Sequence, residues 1–193
     1  KDLDTSTWLG EFVPAGTGGM AAPTWIRMGP GPYLFVTESD VASGAGVVYR
    51  FELDGTFVDV FVDGSETPDL LNAQGIEADP DGNLLIASYS THEVLRFAGP
   101  DIDTSTTGYS PGDYMDVFVS AADGGLDSPV SIQIGLDNGM DSNLLVCSSG
   151  TQSVKRYDRD SGAYIDDFVA EGEVTLPIAI HHTPTGTEAM MYI

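Results

Sequence analysis

Residues 73–119 read AQGIEADPDGNLLIASYSTHEVLRFAGPDIDTSTTGYSPGDYMDVFV, and this stretch decides the fold. It contains four short runs with the character of β-strands, separated by turn sequences such as Asp79-Pro80-Asp81-Gly82. Pro-Asp-Gly supplies the preset and positive φ angles that tight turns need. Apolar and polar residues alternate in a matching run, where Phe57, Asp59 and Phe61 share one face. The stretch therefore predicts a unit of four antiparallel strands.

The four-strand unit recurs along the chain. Its third run ends in similar tetrads, Val48-Tyr49-Arg50-Phe51, Val94-Leu95-Arg96-Phe97 and Val154-Lys155-Arg156-Tyr157. Its fourth run carries an aromatic anchor at Phe12, Phe61, Phe118 and Phe168, spaced 49 to 57 residues apart. Units of about this length with four strands each are typical of propeller blades.

The motif itself resembles a known repeat. Gly75-Ile76, the turn Asp79–Asn83, the run Leu84–Ala87 and the tetrad Val94–Phe97 are similar to the NHL repeat, in the form found in secreted bacterial propellers related to the streptogramin lyases. The linker Phe12–Met20 also resembles linkers of that group. Gly29–Pro32 and Asp137–Asp141 replace the Asp-Pro-Asp-Gly turn in two units. The resemblance implies a fold, since such blades serve binding modules, lyases and lactonases alike.

We therefore predict an all-β protein, a single β-propeller domain over residues 1–193 or a piece of one. The expected blades are four-stranded and antiparallel: 1–13 (partial), 23–62, 73–119, 129–169 and 177–193 (partial). Residues 98–113 are expected to form an irregular loop. Because unpaired strand edges invite association, we expect a longer propeller of six or more blades. The alternatives are closure as four blades, with Trp8–Val13 completing the last, or completion by partner copies.

Composition limits the partners. Thirty acidic residues against seven basic ones give a net charge of −23. Such a field repels nucleic acid and anionic membrane surfaces, and no apolar run is long enough to span a membrane. The single Cys147 excludes an intrachain disulfide and, within an apolar run, indicates a buried small residue.

Two groups of residues are candidates for a site. Trp25, Tyr89 and His92 are placed by the predicted topology near the mouth of the central channel, where binding sites usually form. The acidic residues Glu38, Asp40 and Glu77 are further candidates there, although their spacing does not show that they meet. The same topology places His92 at the opposite end of the ring from His181 and His182, so a three-histidine zinc site is not expected. Closely spaced acids in turns could instead hold calcium through Asp79, Asp81, Asp158 and Asp160, although aspartate is also common in turns for local hydrogen bonding.

The repeat also predicts ion pairs within blades. Arginine holds one position of the third run and aspartate one position of the fourth, and these runs should be neighbouring antiparallel strands. The expected pairs are Arg50–Asp59, Arg96–Asp116 and Arg156–Asp166.

Two functions remain open. The first is a non-catalytic, secreted or cell-surface bacterial propeller that binds a protein, a glycan or another copy of itself. The second, implied by the resemblance alone, is a lyase or lactonase with a divalent metal at the channel mouth. The sequence favours the first, because no catalytic constellation can be recognised in it.

Overall fold

The structure, a computed structural model, describes residues 10–39, 43–65, 67, 69–135, 142–183 and 190–192. These residues form three four-stranded antiparallel sheets and one two-stranded sheet, and each large sheet pairs its strands in chain order. The strands are β1 Pro23–Met28, β2 Tyr33–Ser39, β3 Gly46–Glu52, β4 Phe57–Asp63, β5 Ala73–Ala78, β6 Leu84–Ser88, β7 Glu93–Phe97, β8 Tyr114–Val119, β9 Pro129–Ile134, β10 Leu144–Ser148, β11 Ser153–Tyr157, β12 Tyr164–Val169, β13 His181–Thr183 and β14 Met190–Tyr192. The predicted all-β architecture and the three full blades are confirmed: blade one is β1–β4, blade two β5–β8 and blade three β9–β12.

Neighbouring blades pack face to face. We call the side of a blade toward the preceding blade its near face and the opposite side its far face. Phe35 and Phe61 of the far face of blade one pack against Ile76 and Phe97 of the near face of blade two. The next interface repeats this pattern, with Leu85, Phe118, Ile132 and Tyr157 buried together. The apolar runs therefore form strands because both faces of each blade are covered.

Blade three closes its far face with residues that follow it in the chain. Leu145, Cys147 and Val154 are packed with Ile180. Burial raises the pKa of the Cys147 thiol to about 12, so this side chain acts as the small core residue that the sequence predicts. The near face of blade one is covered differently, since Val13 and Met20 of the linker lie over Val36, Tyr49 and Phe51.

The three predicted cross-strand ion pairs are present. Arg50 pairs with Asp59, Arg96 with Asp116 and Arg156 with Asp166, each through two guanidinium nitrogens. Each pair occupies directly opposed positions of the third and fourth strands. The guanidinium groups of Arg96 and Arg156 also lie over the rings of Phe118 and Phe168. The arginine–aspartate pair therefore occupies the same two strands in every described four-stranded blade.

Three local differences from the sequence prediction appear. Residues 10–13 are not a strand, because no described strand lies beside them to share hydrogen bonds; Trp8 falls outside the described residues. In the last unit the first strand begins at His181 rather than Pro177, because the Ile180 amide donates to Ser131 Oγ of blade three (3.1 Å) instead of to a strand partner. Within 98–113 a short helix, α1 Thr104–Thr107, is capped by Asp103.

The two helical turns outside α1 are single 3₁₀ turns in the linkers, Thr17–Gly19 and Asp123–Gly125. Among the described residues no helix has the length and apolar character needed to cross a membrane.

Candidate ligand-binding site

The inner strands bring four polar residues to one position of the repeat. This position follows the isoleucine of each inner run and is occupied by Arg27, Glu77, Gln133 and His181. The first three lie on β1, β5 and β9, the innermost strands of their blades. Residues on a strand alternate between faces, so an interruption of the apolar pattern at one repeated position indicates a shared surface at the centre of the blades.

Arg27, Glu77 and Gln133 form one hydrogen-bonded cluster across three blades. Arg27 Nη2 donates to Glu77 Oε2 at 2.5 Å. With its amide oriented to satisfy both atoms, Gln133 accepts from Arg27 Nη2 at 3.1 Å and donates to the Ile180 carbonyl at 3.2 Å. The Ile134 amide also reaches Glu77 Oε2, at 3.4 Å. The cluster therefore ties the inner strands together and fixes the direction of each side chain.

Burial dominates the electrostatics of Glu77. The side chain is buried, and this desolvation raises the pKa of its carboxyl group above the usual value, while the charge of Arg27 acts in the opposite direction. A carboxyl group with a raised pKa in a cleft is a feature of functional sites, although structural ion pairs produce it as well. Both carboxylate oxygens of Glu77 accept hydrogen bonds from the protein. Oε2 accepts from Arg27, and Oε1 accepts from the Ala78 amide at 3.1 Å.

A cavity of about 570 Å³ opens beside this cluster. Its walls are mostly apolar and are contributed by the linker, by β1 and β2, by β9 and by the segment before β13: Phe12, Val13, Met20, Pro23, Thr24, Trp25, Ile26, Arg27, Val36, Ile132, Gln133 and Ile180. Concave sites of about 300–1,000 Å³, mostly apolar with a few convergent polar groups, are the usual form of small-ligand pockets. The cavity has this size and composition.

The cavity lies where blade one differs from the other blades. Ile76 and Ile132 are 1% and 2% exposed because each packs on the far face of the blade before it. Their equivalent Ile26 is 57% exposed, and Met28 on the same strand is 67% exposed. The near face of blade one therefore presents apolar surface that the same repeat positions bury elsewhere.

Two of the six residues predicted near the channel mouth belong to this site. Trp25 lines the cavity and also packs on the core between blades one and two. Glu77 holds Arg27 from behind without lining the cavity. Glu38 has another role, because its Oε2 accepts from the amides of Ala21 and Ala22 and anchors the linker.

Two of the others, Tyr89 and His92, are not brought to the cavity and are absent from its lining. His92 Nδ1 lies 3.0 Å from the Ser128 amide and 2.8 Å from Asp127 Oδ1, so the imidazole links blade two to the linker before β9. Asp40 is outside the described residues, as are the side chains of His181 and His182.

The acidic turns use their carboxylates locally. Asp79 Oδ1 accepts from the amides of Asp81 and Asn83, and Oδ2 accepts from the Asn83 side chain. Asp158 Oδ1 accepts from the Asp160 amide and from both the amide and hydroxyl of Ser161; the Ser161 hydroxyl bond is the main reason why the pKa of Asp158 is lowered. In the described ranges no three His, Cys, Asp or Glu side chains are grouped to hold a metal.

Arg27 and Gln133 were not predicted as site residues from the sequence. Each is a polar residue directly after the isoleucine of an inner run, and Glu77 and His181 share that position. Comparing the repeats column by column at this position would have identified the cluster. The cavity could not have been found in this way, because it depends on how three blades and the linker lie in space.

Comparison with solved structures places the fold. Similar structures include virginiamycin B lyase from Staphylococcus aureus (19% identity, TM-score 0.54, 82% of this chain and 44% of that one). Nidogen in its complex with laminin is also similar (19% identity, TM-score 0.56, 78% of this chain and 48% of that one). The calcium-binding protein regucalcin from Agrobacterium tumefaciens is similar too (21% identity, TM-score 0.51, 82% of this chain and 48% of that one). The chain spans about half the length of these proteins.

No protein-family model matches the chain, and no curated protein matches it. At these identities the likeness to solved structures concerns the fold alone. Those structures include an enzyme, virginiamycin B lyase, and a protein in complex with another protein, nidogen with laminin. With three in-order four-stranded blades and these neighbours, the chain has the β-propeller fold and resembles the NHL-type and streptogramin lyase propellers.

Proposed function

We propose that the protein is a non-catalytic binding module whose ligand site is the cavity beside Trp25 and Arg27. The observation that carries the proposal is an open, mostly apolar cavity of about 570 Å³ at the inner strands. Burial of apolar surface contributes roughly 25 cal/mol per Å². An apolar group that enters the cavity would therefore gain free energy by covering the exposed surface of Ile26 and the remaining exposed surface of Trp25.

Hydrogen bonding around the cavity supports binding rather than catalysis. Glu77 and Gln133 are engaged with Arg27 and with backbone groups, and Thr24 Oγ1 donates to the Ala73 carbonyl at 2.7 Å. A general base or nucleophile needs a free lone pair within reach of its substrate. The described groups at the cavity hold each other in position instead.

The setting that we propose is secreted or at the cell surface, with a protein, a glycan or a further copy of the chain as the macromolecular partner. The resemblance to secreted bacterial propellers and the net charge of −23 support this setting. The nidogen structure, a complex with laminin, supports a protein partner.

One observation favours an enzyme as the second candidate. The repeated inner position places His181 in the same column as Arg27 and the buried Glu77, and similar structures include lyases. A lyase or lactonase would require Glu77 to exchange a proton. Incubation with a cyclic ester or a streptogramin B antibiotic tests this: turnover that the Glu77→Gln variant loses would establish the enzyme.

Nile red, a neutral apolar dye, tests the binding function. We expect saturable fluorescence enhancement with the native chain and at least about tenfold weaker binding after Ile26→Asp, because a carboxylate in the cavity must be desolvated. The matched control is Val60→Asp on β4, where the side chain is 43% exposed and outside the cavity. The absence of dye binding, or equal binding by both variants, would overturn the proposal.

A further inference from the structure

The lining of the cavity is mostly apolar. Of the twelve lining residues within the described part of the chain, nine are apolar, namely Phe12, Val13, Met20, Pro23, Trp25, Ile26, Val36, Ile132 and Ile180. The remaining three are Thr24, Arg27 and Gln133. A ligand that fills this space must therefore be mostly apolar, with a polar group directed toward one of these three side chains.

Among the lining residues that the structure describes, Arg27 is the one charged side chain, and it has unused donors. The hydroxyl of Thr24 is bonded to the Ala73 carbonyl, and both amide atoms of Gln133 are bonded. Within the part of the chain that the structure describes, the bonds of Arg27 to Glu77 and Gln133 all use Nη2. The guanidinium group carries five N–H donors in a planar fork, so Nε and Nη1 can still donate hydrogen bonds to a ligand.

The charge around Arg27 limits what that acceptor can be. A guanidinium N–H forms a charge-assisted hydrogen bond with a carboxylate, and such a bond is stronger than one with a neutral acceptor. Glu77 already offsets one positive charge, and the chain as a whole carries −23. Dianions such as phosphate monoesters would be repelled more strongly than a single carboxylate. An ammonium group at the same place would be repelled by the positive charge of the guanidinium group.

From these contacts we infer that the cavity binds an apolar monocarboxylate, with its chain or ring against Trp25 and Ile26 and its carboxylate accepting a hydrogen bond from Nη1 of Arg27. This inference rests on the proposed binding function and adds the chemical class of the ligand.

The test uses three octyl compounds that share one chain and differ in the head group: octanoate, octanol and octylamine. Binding is followed by Trp25 fluorescence in a Trp8→Phe background, since the chain has two tryptophans, and by calorimetry. At about 0.15 M NaCl the field of distant charges is screened beyond roughly 8 Å. We expect octanoate to bind about tenfold more tightly than octanol, as charge-assisted hydrogen bonds allow, and octylamine to bind no more tightly than octanol.

Three variants assign the preference to Arg27. Glu77→Gln leaves Arg27 without its offsetting charge, so the preference for octanoate over octanol should increase severalfold. The double variant Arg27→Gln/Glu77→Gln avoids an unpaired buried carboxylate and should bind octanoate and octanol with equal affinity. Arg159→Gln removes an arginine far from the cavity lining, paired with Asp160, and should change neither affinity.

The outcomes separate the two proposals. If octanoate and octanol bind equally and the double variant changes nothing, the monocarboxylate inference is wrong and the binding function stands. If neither Nile red nor any octyl compound binds, the binding function itself is wrong. If the native chain is a dimer that Ile26→Asp dissociates, and only the monomer takes up dye, the surface is a subunit interface and both are wrong.

Discussion

At the scale of single residues, Glu77 shows how one buried carboxylate can affect stability as a function of pH. Desolvation raises the pKa of the group above its ordinary value of 4.5, and Arg27 compensates only in part. A folded-state pKa above the unfolded one means that the folded protein binds the proton more readily. The stabilisation from this group is therefore complete below pH 4.5 and is lost as the pH rises through the folded-state pKa.

The first prediction follows from that sign. As the pH falls from 7 toward 4.5, the free energy of unfolding of the native chain should rise relative to that of Glu77→Gln, because glutamine cannot take up the proton. Urea unfolding of both proteins at several pH values measures the difference. Parallel curves over this range would show that Glu77 has the same proton affinity in both states.

A second residue-scale prediction concerns Leu176. Its φ is 51°, and its repeat equivalents Asn72 and Ser128 have φ values of 56° and 52°. Left-handed backbone costs a residue with a bulky side chain roughly 1–2 kcal/mol, whereas asparagine adopts it readily. Because Leu176 is 62% exposed, Leu176→Asn should raise the free energy of unfolding by about 0.5–1 kcal/mol.

The control for this prediction lies two residues away. Ile178 is 63% exposed, and its φ is not positive. Ile178→Asn removes a comparable apolar side chain without relieving strain and should not stabilise the chain. Equal changes in melting temperature for both variants would show that backbone conformation is not the cause.

At the scale of elements, each blade packs a glycine turn against the outer strand of the blade before it. Side-chain atoms at Gly112 and Gly162, in the connections leading to β8 and β12, would overlap the carbonyl oxygens of Phe61 and Phe118. Gly55, before β4, has the same relation to Phe12. Phe12 therefore occupies the place of an outer-strand phenylalanine against blade one, although residues 10–13 form no strand.

A pair of glycines in one loop tests this packing. Gly112 and Gly108 both have positive φ, at 87° and 76°, but only Gly112 meets a neighbouring backbone. Gly108→Ala should cost about 1 kcal/mol from conformation alone. Gly112→Ala should cost roughly 1–3 kcal/mol more, as overpacking does. Equal losses in denaturant unfolding would show that the contact yields without strain.

Elements were also what the sequence predicted best. Strand bounds, blade order and the three ion pairs follow from local alternation and from repeat columns, which are visible in one dimension. The start of β13 was wrong because Ser131 of another blade captures the Ile180 amide. The role of Glu38 was missed because its partners, the amides of Ala21 and Ala22, are backbone groups that carry no sequence signal.

At the scale of the whole molecule, charge pairing is uneven. All six basic residues that the structure describes lie within 4.0 Å of a carboxylate: Arg27, Arg50, Arg96, Lys155, Arg156 and Arg159. With a net charge of −23, the excess acids can be compensated only by solution cations. Repulsion among like charges destabilises the compact state.

Sodium chloride should therefore stabilise the fold. Between 0.05 and 0.5 M NaCl the melting temperature should rise by about 2–4 °C for each kcal/mol of repulsion that is screened. A triple variant, Glu11→Gln/Glu171→Gln/Glu173→Gln, neutralises three exposed acids and reduces the magnitude of the net charge, from −23 to −20. It should melt higher than the native chain at low salt and respond less to added salt. A native melting temperature that does not depend on salt would contradict this account.

A comparison of calcium with magnesium distinguishes a specific calcium site from general screening of the negative charge. The carboxylates of Asp79 and Asp158 accept hydrogen bonds from their own turns, and a calcium ion, which takes six to eight oxygen ligands, would have to displace these bonds. We therefore expect millimolar calcium and magnesium, at equal ionic strength, to raise the melting temperature equally. A ligand of the native state adds stability by mass action, so a calcium site would reveal itself as a larger shift with calcium that the chelator EGTA reverses. If Asp79→Asn or Asp158→Asn abolished that larger shift, the calcium site proposed from the sequence would be established at that turn.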